Sequence, residues 1–240
     1  RAGHIQYLIL SEKNLGKGGA WNVILSGAPG EIIAYADSDV LFYPGWLKAS
    51  VDLLETFPNV GMVTARPFRT NPQFYSRTLD WAEAQPEVQV ERGQFIPWEV
   101  FREFDLSLGQ SEEEIRQRYE TTEDVRLTYR GVQAMAGASH WQFTAYKSTL
   151  AQFLPFQMDR PMGQVKQLDQ RVNEAGLLRL MPTQPYAMNL SNTLRGLRAG
   201  QMAGKRGPAK RRNPLLDFPP LRGLLLKLYD SIFRWYYDRQ

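Results

Sequence analysis

Apolar residues along the chain fall into short continuous runs, separated by stretches in which they recur at helical spacing. The short runs predict β-strands at residues 5–10, 31–36, 60–65 and 177–180. The helical spacing predicts α-helices at residues 20–26, 47–54 and 168–175, each ending close to a glycine or a proline. Strands that alternate with helices in this way are typical of an α/β fold with a mostly parallel sheet and flanking helices.

Two stretches in the middle of the chain are less regular. Residues 70–110 mix aromatic, proline and charged residues without a clear period, which predicts a partly irregular excursion over one edge of the sheet. Residues 129–146 are rich in small and aromatic residues. That composition fits the lining of a substrate pocket and fits the protein core equally well.

A helix start is predicted at Ser111. Its side chain and that of Glu114 have the spacing of a capping box, in which each bonds the other's backbone amide. Two pairs at i,i+4 spacing, Glu112 with Arg116 and Glu114 with Arg118, are expected to support a solvent-exposed helix.

Composition changes this picture mainly through what it excludes. The 240 residues, 43% of them hydrophobic, are enough to bury a core. There is no cysteine, which excludes disulfides and thiolate metal sites and favours a cytoplasmic location. No apolar stretch approaches the ~20 residues needed to cross a bilayer. The chain starts with Arg-Ala-Gly-His, so we expect it to begin inside a longer gene product.

Positive charge is concentrated at the C-terminal end. Residues 195–240 hold 11 of the 29 Lys and Arg but 3 of the 25 Asp and Glu, so this segment carries +8 within a net charge of +4. We expect an ordered domain over residues 1–194, a basic flexible linker over 195–220 and an amphipathic helix over 221–240. The helix could lie on an anionic membrane surface, at the inner face of a membrane, or dock on its own domain. Nucleic acid is not expected as a partner, because the sequence contains no recognisable nucleic-acid-binding module.

Two carboxylates follow the predicted strand at 31–36. In an extended chain Asp37 and Asp39 point to the same side, and the carboxyl end of a parallel strand is where open α/β sheets bind ligands. Two carboxylates leave room around Mg²⁺ or Mn²⁺ for phosphate oxygens of a substrate. Taken alone, however, the pair is more often a polar strand end than a site.

A glycine-rich loop precedes the first predicted helix. It runs from Asn14 to Ala20 and includes Lys17, so backbone amides and an ammonium group could meet a phosphate at the helix N-terminus. A tight turn is the commoner explanation of such a loop.

The two motifs occur in an order that resembles a known family. Asn14-Leu15-Gly16 and Asn22, then Asp37-Ser38-Asp39, then Pro44-Gly45-Trp46-Leu47, resemble the central block of family 2 glycosyltransferases, which have a Rossmann-like GT-A fold. The likeness covers residues 14–65 and, more loosely, 129–194. It implies that Asp37 and Asp39 bind a divalent cation and the diphosphate of a nucleotide-sugar donor, that Ser38 lies on the donor side with them, and that Asn14 contacts the nucleotide.

The chain departs from the family in two places. Family members have a nucleotide-binding strand and helix upstream of this block, so we expect that N-terminal part to be missing here. Many also carry Glu-Asp near the start of the helix ending in Arg and Gly, where this chain has Gln164 and Val165. The carboxylate that would serve as catalytic base is therefore not assigned by the resemblance.

Transfer of a sugar to an acceptor hydroxyl requires a group that takes the hydroxyl proton. Asp169 is the first candidate for this base and Asp159 the second. His140 is a candidate for a base or for a contact to a saccharide or lipid-linked acceptor, and Trp141 is a candidate for an acceptor contact. Core packing is the more frequent role of such residues. The sequence thus predicts a metal-assisted, inverting glycosyltransferase, with an inactive fragment or a glycan- or nucleotide-binding remnant as the alternative.

Overall fold

The computed structural model describes residues 5, 7–12, 14–156, 163–190, 228 and 231, and for residues 163–166 it describes the backbone alone. The helices are α1 Gly16–Gly27, α2 Trp46–Thr56, α3 Ser76–Ala84, α4 Trp98–Ser107, α5 Glu112–Thr121, α6 Lys147–Ala151 and α7 Gly163–Glu174, with a 3₁₀ turn at Pro72–Phe74. The strands are β1 Ile32–Ala36, β2 Val40–Phe42, β3 Val60–Val63, β4 Gln89–Gly93, β5 Asp124–Tyr129, β6 Val132–Ala136, β7 Gln142–Tyr146, β8 Leu178–Met181 and β9 Ala187–Asn189.

The central sheet confirms the α/β class but corrects the expected strand directions. Its order is β1-β7-β3-β8-β6-β5-β4, and β2 with β9 forms a separate two-stranded ribbon. Strands β3 and β8 pair parallel, whereas the other neighbours pair antiparallel, so the sheet is mixed rather than mostly parallel.

The connections between β5, β6 and β7 help to explain why the sheet mixes parallel and antiparallel pairs. Arg130 and Gly131, both with positive φ, join β5 to β6, and a two-residue turn can join only antiparallel strands. Residues 137–141 then lead from β6 to β7 without room for a crossover helix. This crossing loop passes the carboxyl end of β3, where the Ser139 amide donates to Thr64 Oγ1 at 2.8 Å. The fold therefore places residues 137–141 beside the carboxyl ends of β1 and β3.

The expected strand at residues 5–10 is wrong for the described part of that segment. Residues 7–10 are coil, and the apolar side chains of Tyr7, Leu8, Ile9 and Leu10 are 55–84% exposed. An apolar run forms a strand only where a partner strand and a covering layer bury it. Residues 7–10 make no such pairing in the described sheet.

The middle of the chain is more regular than its composition predicts. Within residues 70–110 the chain forms α3, β4 and α4, and β4 is one of the two edge strands of the seven-stranded sheet. Within residues 129–146 the core interpretation holds, because Ala134, Ala138 and Phe143 are fully buried.

The capping box at Ser111 and Glu114 is confirmed, but Glu112 and Arg118 form close ion pairs with residues other than those expected. Glu112 instead binds Arg102 of α4 at 2.9 Å, and Arg118 binds the buried Asp105 at 3.0 Å. The helix is amphipathic rather than solvated all round, since its Ile115 is fully buried against α4. Contacts between helices outweigh the weak surface pairs that the sequence suggested.

Helix α7 packs directly on β3 because Gly61 has no side chain. A Cβ at this position would lie 2.5 Å from Val172 Cγ1 and 2.8 Å from Leu177 Cβ. We expect Gly61→Ala to lower the free energy of unfolding by about 1–3 kcal/mol through overpacking, measured by urea denaturation. Gly27→Ala is the matched control, because nothing lies within 4 Å of a Cβ there. Equal unfolding midpoints for the two variants would contradict this account of the α7 contact.

Little of the predicted tail lies within the described residues. The linker at 195–220 lies outside them, and of the helix predicted at 221–240 the described residues are Leu228 and Ser231, both helical. In the described part of the chain, no helix is long and apolar enough to span a bilayer.

Candidate active site

The carboxyl end of β1 carries a bonded cluster around Asp37. Its Oδ2 accepts from Lys17 Nζ at 2.8 Å, and its Oδ1 accepts from the Tyr35 hydroxyl at 2.6 Å. Burial and this hydrogen bond raise the pKa of the Tyr35 phenol far above its usual range, so Tyr35 stays a donor. Both oxygens of the first motif carboxylate are thus engaged by the chain itself.

Local structure sets this geometry. Tyr35 and Asp37 are two residues apart at the end of a strand, so their side chains lie on the same side. Lys17 is in the first turn of α1, which begins where Asn14 Oδ1 accepts from the amide of Gly16 at 2.9 Å. The glycine-rich loop therefore delivers a lysine to the strand end, with Asn14 shaping the helix start.

The expectation that Asp37 and Asp39 point to the same side of an extended chain is wrong. Strand β1 ends at Ala36, and residues 38 and 39 form a turn that leads into β2. The Asp39 carbonyl accepts from the Leu190 amide at 2.7 Å, which fixes the backbone of this turn against the end of β9. Asp37 and Asp39 are partly buried, while Ser38 between them is exposed.

A second cluster lies on the crossing loop between β6 and β7. His140 Nδ1 is 2.6 Å from Asp169 Oδ2, and the other oxygen of Asp169 accepts from Arg179 Nη2, also at 2.6 Å. Asp169 is 5% exposed and Arg179 fully buried, whereas the His140 side chain is 24% exposed. Because an ionised carboxylate can only accept, Nδ1 carries a proton, and in the neutral imidazole Nε2 then holds the lone pair.

The two clusters meet around Trp21. Its ring centroid lies 5.4 Å from that of Tyr35 and 6.4 Å from that of His140. A backbone hydrogen bond also joins the two clusters, because the Asp37 amide donates to the carbonyl of Trp141, the residue after His140, at 3.0 Å. A single buried indole thus separates the carboxylates after β1 from the His140–Asp169 pair.

Three further residues were predicted for the site, namely Trp141, Asp159 and Asp169. Trp141 is wrong as a stacking surface for a sugar, because it is 8% exposed and packs against Phe104 at 5.5 Å between ring centroids. Asp159 lies outside the described residues. Asp169 is at the site, but the two bonds to its carboxylate fit a residue that orients His140 better than one that takes a proton itself.

Sequence reasoning missed Trp21, Tyr35 and Arg179. Arg179 carried a usable signal, since a charged residue inside the apolar run of β8 must find a buried partner. The two aromatic residues carried no comparable signal, because aromatic residues on a helix and a strand are usually ordinary core residues.

The carboxylates at the strand end are the residues that would hold the divalent cation that the motif implies. Carboxylate oxygens are the donors that Mg²⁺ and Mn²⁺ prefer. Among the described residues no group of three or more His, Asp or Glu could hold a metal, so a cation here would take its remaining ligands from substrate and water. Asp37 and Asp39 fit such a cation in donor chemistry, provided that Lys17 leaves Oδ2 of Asp37.

The fold is a mixed α/β sheet with flanking helices, and it carries carboxylates at the end of the edge strand β1. Comparison with known families agrees, since residues 3–109 match the model described as Glycosyl transferase family 2. The match confirms the resemblance that residues 14–65 show to the family 2 glycosyltransferases. Searches of the curated proteins and of the solved structures give no match.

Proposed function

We propose that the protein transfers a sugar from a nucleotide-sugar donor to an acceptor hydroxyl in one displacement, with inversion at the anomeric carbon. The observation that carries this proposal is the meeting of two different groups around Trp21. On one side lie Lys17, which suits a diphosphate, and Asp37, which suits the cation that would accompany it, and on the other lies His140, which suits a proton transfer. A displacement needs both a stabilised leaving group and an activated nucleophile.

The donor side binds the leaving diphosphate. Lys17 and the amides at the start of α1 supply positive charge and N–H donors. A Mg²⁺ or Mn²⁺ held by Asp39 and Asp37 would neutralise charge that builds up on the leaving diphosphate. Tyr35 keeps Asp37 in place through its hydroxyl.

The acceptor side activates the nucleophile. His140 Nε2 takes the proton of the acceptor hydroxyl while the hydroxyl oxygen attacks the anomeric carbon. Asp169 holds the required tautomer through Nδ1 and stabilises the imidazolium that forms. Arg179 balances the buried charge of Asp169. In this scheme His140 replaces the carboxylate base that Gln164 and Val165 cannot provide.

The test is turnover of UDP-, GDP- and dTDP-sugars, followed as transfer or as hydrolysis in the presence of Mg²⁺ or Mn²⁺. Asp39→Asn should lower kcat by about 10²-fold or more, because a cation–diphosphate contact is worth several kcal/mol in the transition state. Asp52→Asn on α2 is the control, since this carboxylate forms an exposed pair with Lys48. Absence of turnover with every donor, or equal rates for the two variants, would refute the proposal.

A further inference from the structure

We propose that Lys17 and the divalent cation exchange places on Asp37, so that Lys17 occupies the carboxylate first and moves to the donor diphosphate when the cation binds. This inference rests on the proposed function, because it assumes that Asp37 belongs to a cation-dependent donor site. It gives Lys17 two successive partners within one site.

The geometry holds the ammonium group firmly at the first of these partners. Lys17 Nζ lies 2.8 Å from Asp37 Oδ2, and the two side chains are 16% and 29% exposed. Nζ also lies 5.3 Å from the ring centroid of Trp21 and 5.8 Å from that of Tyr35. Because two aromatic rings and a carboxylate surround the lysine, this pair is more constrained than an ordinary surface ion pair.

The exchange between Lys17 and the cation follows from the contacts of the Asp37 carboxylate. Tyr35 occupies Oδ1, so a cation that Asp37 coordinates competes with Nζ for Oδ2. A divalent cation and an ammonium group on one oxygen would repel each other strongly in a partly buried site. Lys17 must therefore leave Oδ2 when the cation binds.

The displaced lysine has a clear second partner. Lys17 lies in the first turn of α1, the positive end of the helix dipole, which also favours an incoming anion. A nucleotide-sugar brings its diphosphate to the cation, so the negative charge arrives where the ammonium group is released. The lysine then contributes to donor binding instead of balancing Asp37.

The first test is binding of Mn²⁺ alone, followed by electron paramagnetic resonance. Lys17→Met and Lys17→Gln should bind Mn²⁺ about tenfold more tightly than the wild type, because they remove the competing charge. Lys17→Arg, which keeps the charge, should stay close to the wild type. Lys48→Met is the matched control. Lys48 forms an exposed ion pair on α2, in which Nζ lies 2.6 Å from Asp52 Oδ2. The Lys17→Met effect should vanish when Asp37→Asn is also present.

The second test adds inorganic pyrophosphate at saturating Mn²⁺. Lys17→Met should now bind the anion more weakly than the wild type. The same substitution therefore strengthens Mn²⁺ binding and weakens pyrophosphate binding. Unchanged or weaker Mn²⁺ binding in Lys17→Met and Lys17→Gln, or an equal shift in Lys48→Met, would overturn the exchange. Both readouts are independent of turnover, so a protein that shows the exchange but transfers no sugar would refute the proposed function alone.

Discussion

His140→Ala is expected to lower kcat for sugar transfer by about 10²- to 10⁴-fold with little change in KM, the range that loss of a general base produces. The acceptor hydroxyl would then lose its proton to water, while donor binding at Asp37 and Lys17 stays intact. The measurement is steady-state transfer with whichever nucleotide-sugar the donor panel identifies. A KM that rises with kcat unchanged would show that His140 only binds the acceptor.

Added imidazole provides a readout that a merely structural role would not move. It should restore part of the lost activity of His140→Ala, because a free imidazole can accept the proton in the vacated space. Asp169→Asn should also lower kcat, since an amide no longer enforces the tautomer with the proton on Nδ1. If His140→Ala keeps more than about a third of kcat, the base is a different residue and Asp169 holds His140 for packing alone.

The strand end after β1 could be predicted from the sequence because its signals are local. The apolar run of β1, the following Asp37-Ser38-Asp39 and the glycine-rich loop are each read within a few residues, and their order indicated the family. The turn at residues 38 and 39 was missed because it depends on the pairing of β2 with β9, about 150 residues further along the chain.

The second half of the site depends on contacts that no local pattern encodes. His140 and Asp169 are 29 residues apart in the sequence, and they meet because the crossing loop passes the carboxyl end of β3 beside α7. The same tertiary contacts decided that Trp141 packs inward while His140, one residue earlier, stays partly exposed. Both residues of the pair were named from the sequence, with Asp169 as the first candidate for the base, because its buried partner Arg179 was not considered.

Arg179 is where loss of a single side chain should damage the fold most. Its guanidinium donates to the carbonyl of Ala138 on the crossing loop, to the carbonyl of Phe74 in the 3₁₀ turn and to the Asp169 carboxylate on α7. Burial lowers the pKa of Arg179, and the negative charge of Asp169 opposes this shift. One fully buried cation thus connects three segments around the site.

Arg179→Met should lower the free energy of unfolding by about 3–5 kcal/mol, because it leaves the buried Asp169 carboxylate without its cation. Urea denaturation followed by tryptophan fluorescence measures the change. Arg126→Met is the matched control, since Arg126 on β5 bonds Glu91 in a partly exposed pair and should cost at most about 1 kcal/mol.

Adding Asp169→Asn to Arg179→Met separates two causes of the lost stability, the unpaired charge of Asp169 and the lost contacts of the Arg179 side chain. The double variant should be more stable than Arg179→Met alone, because the amide removes the unpaired negative charge while keeping a polar group beside His140. If the second substitution instead costs further stability, the loss in Arg179→Met comes from the unbonded carbonyls of Ala138 and Phe74 and not from the charge. Asp169 would then be stabilised mainly by His140, and the pair would act as base and carboxylate without help from β8.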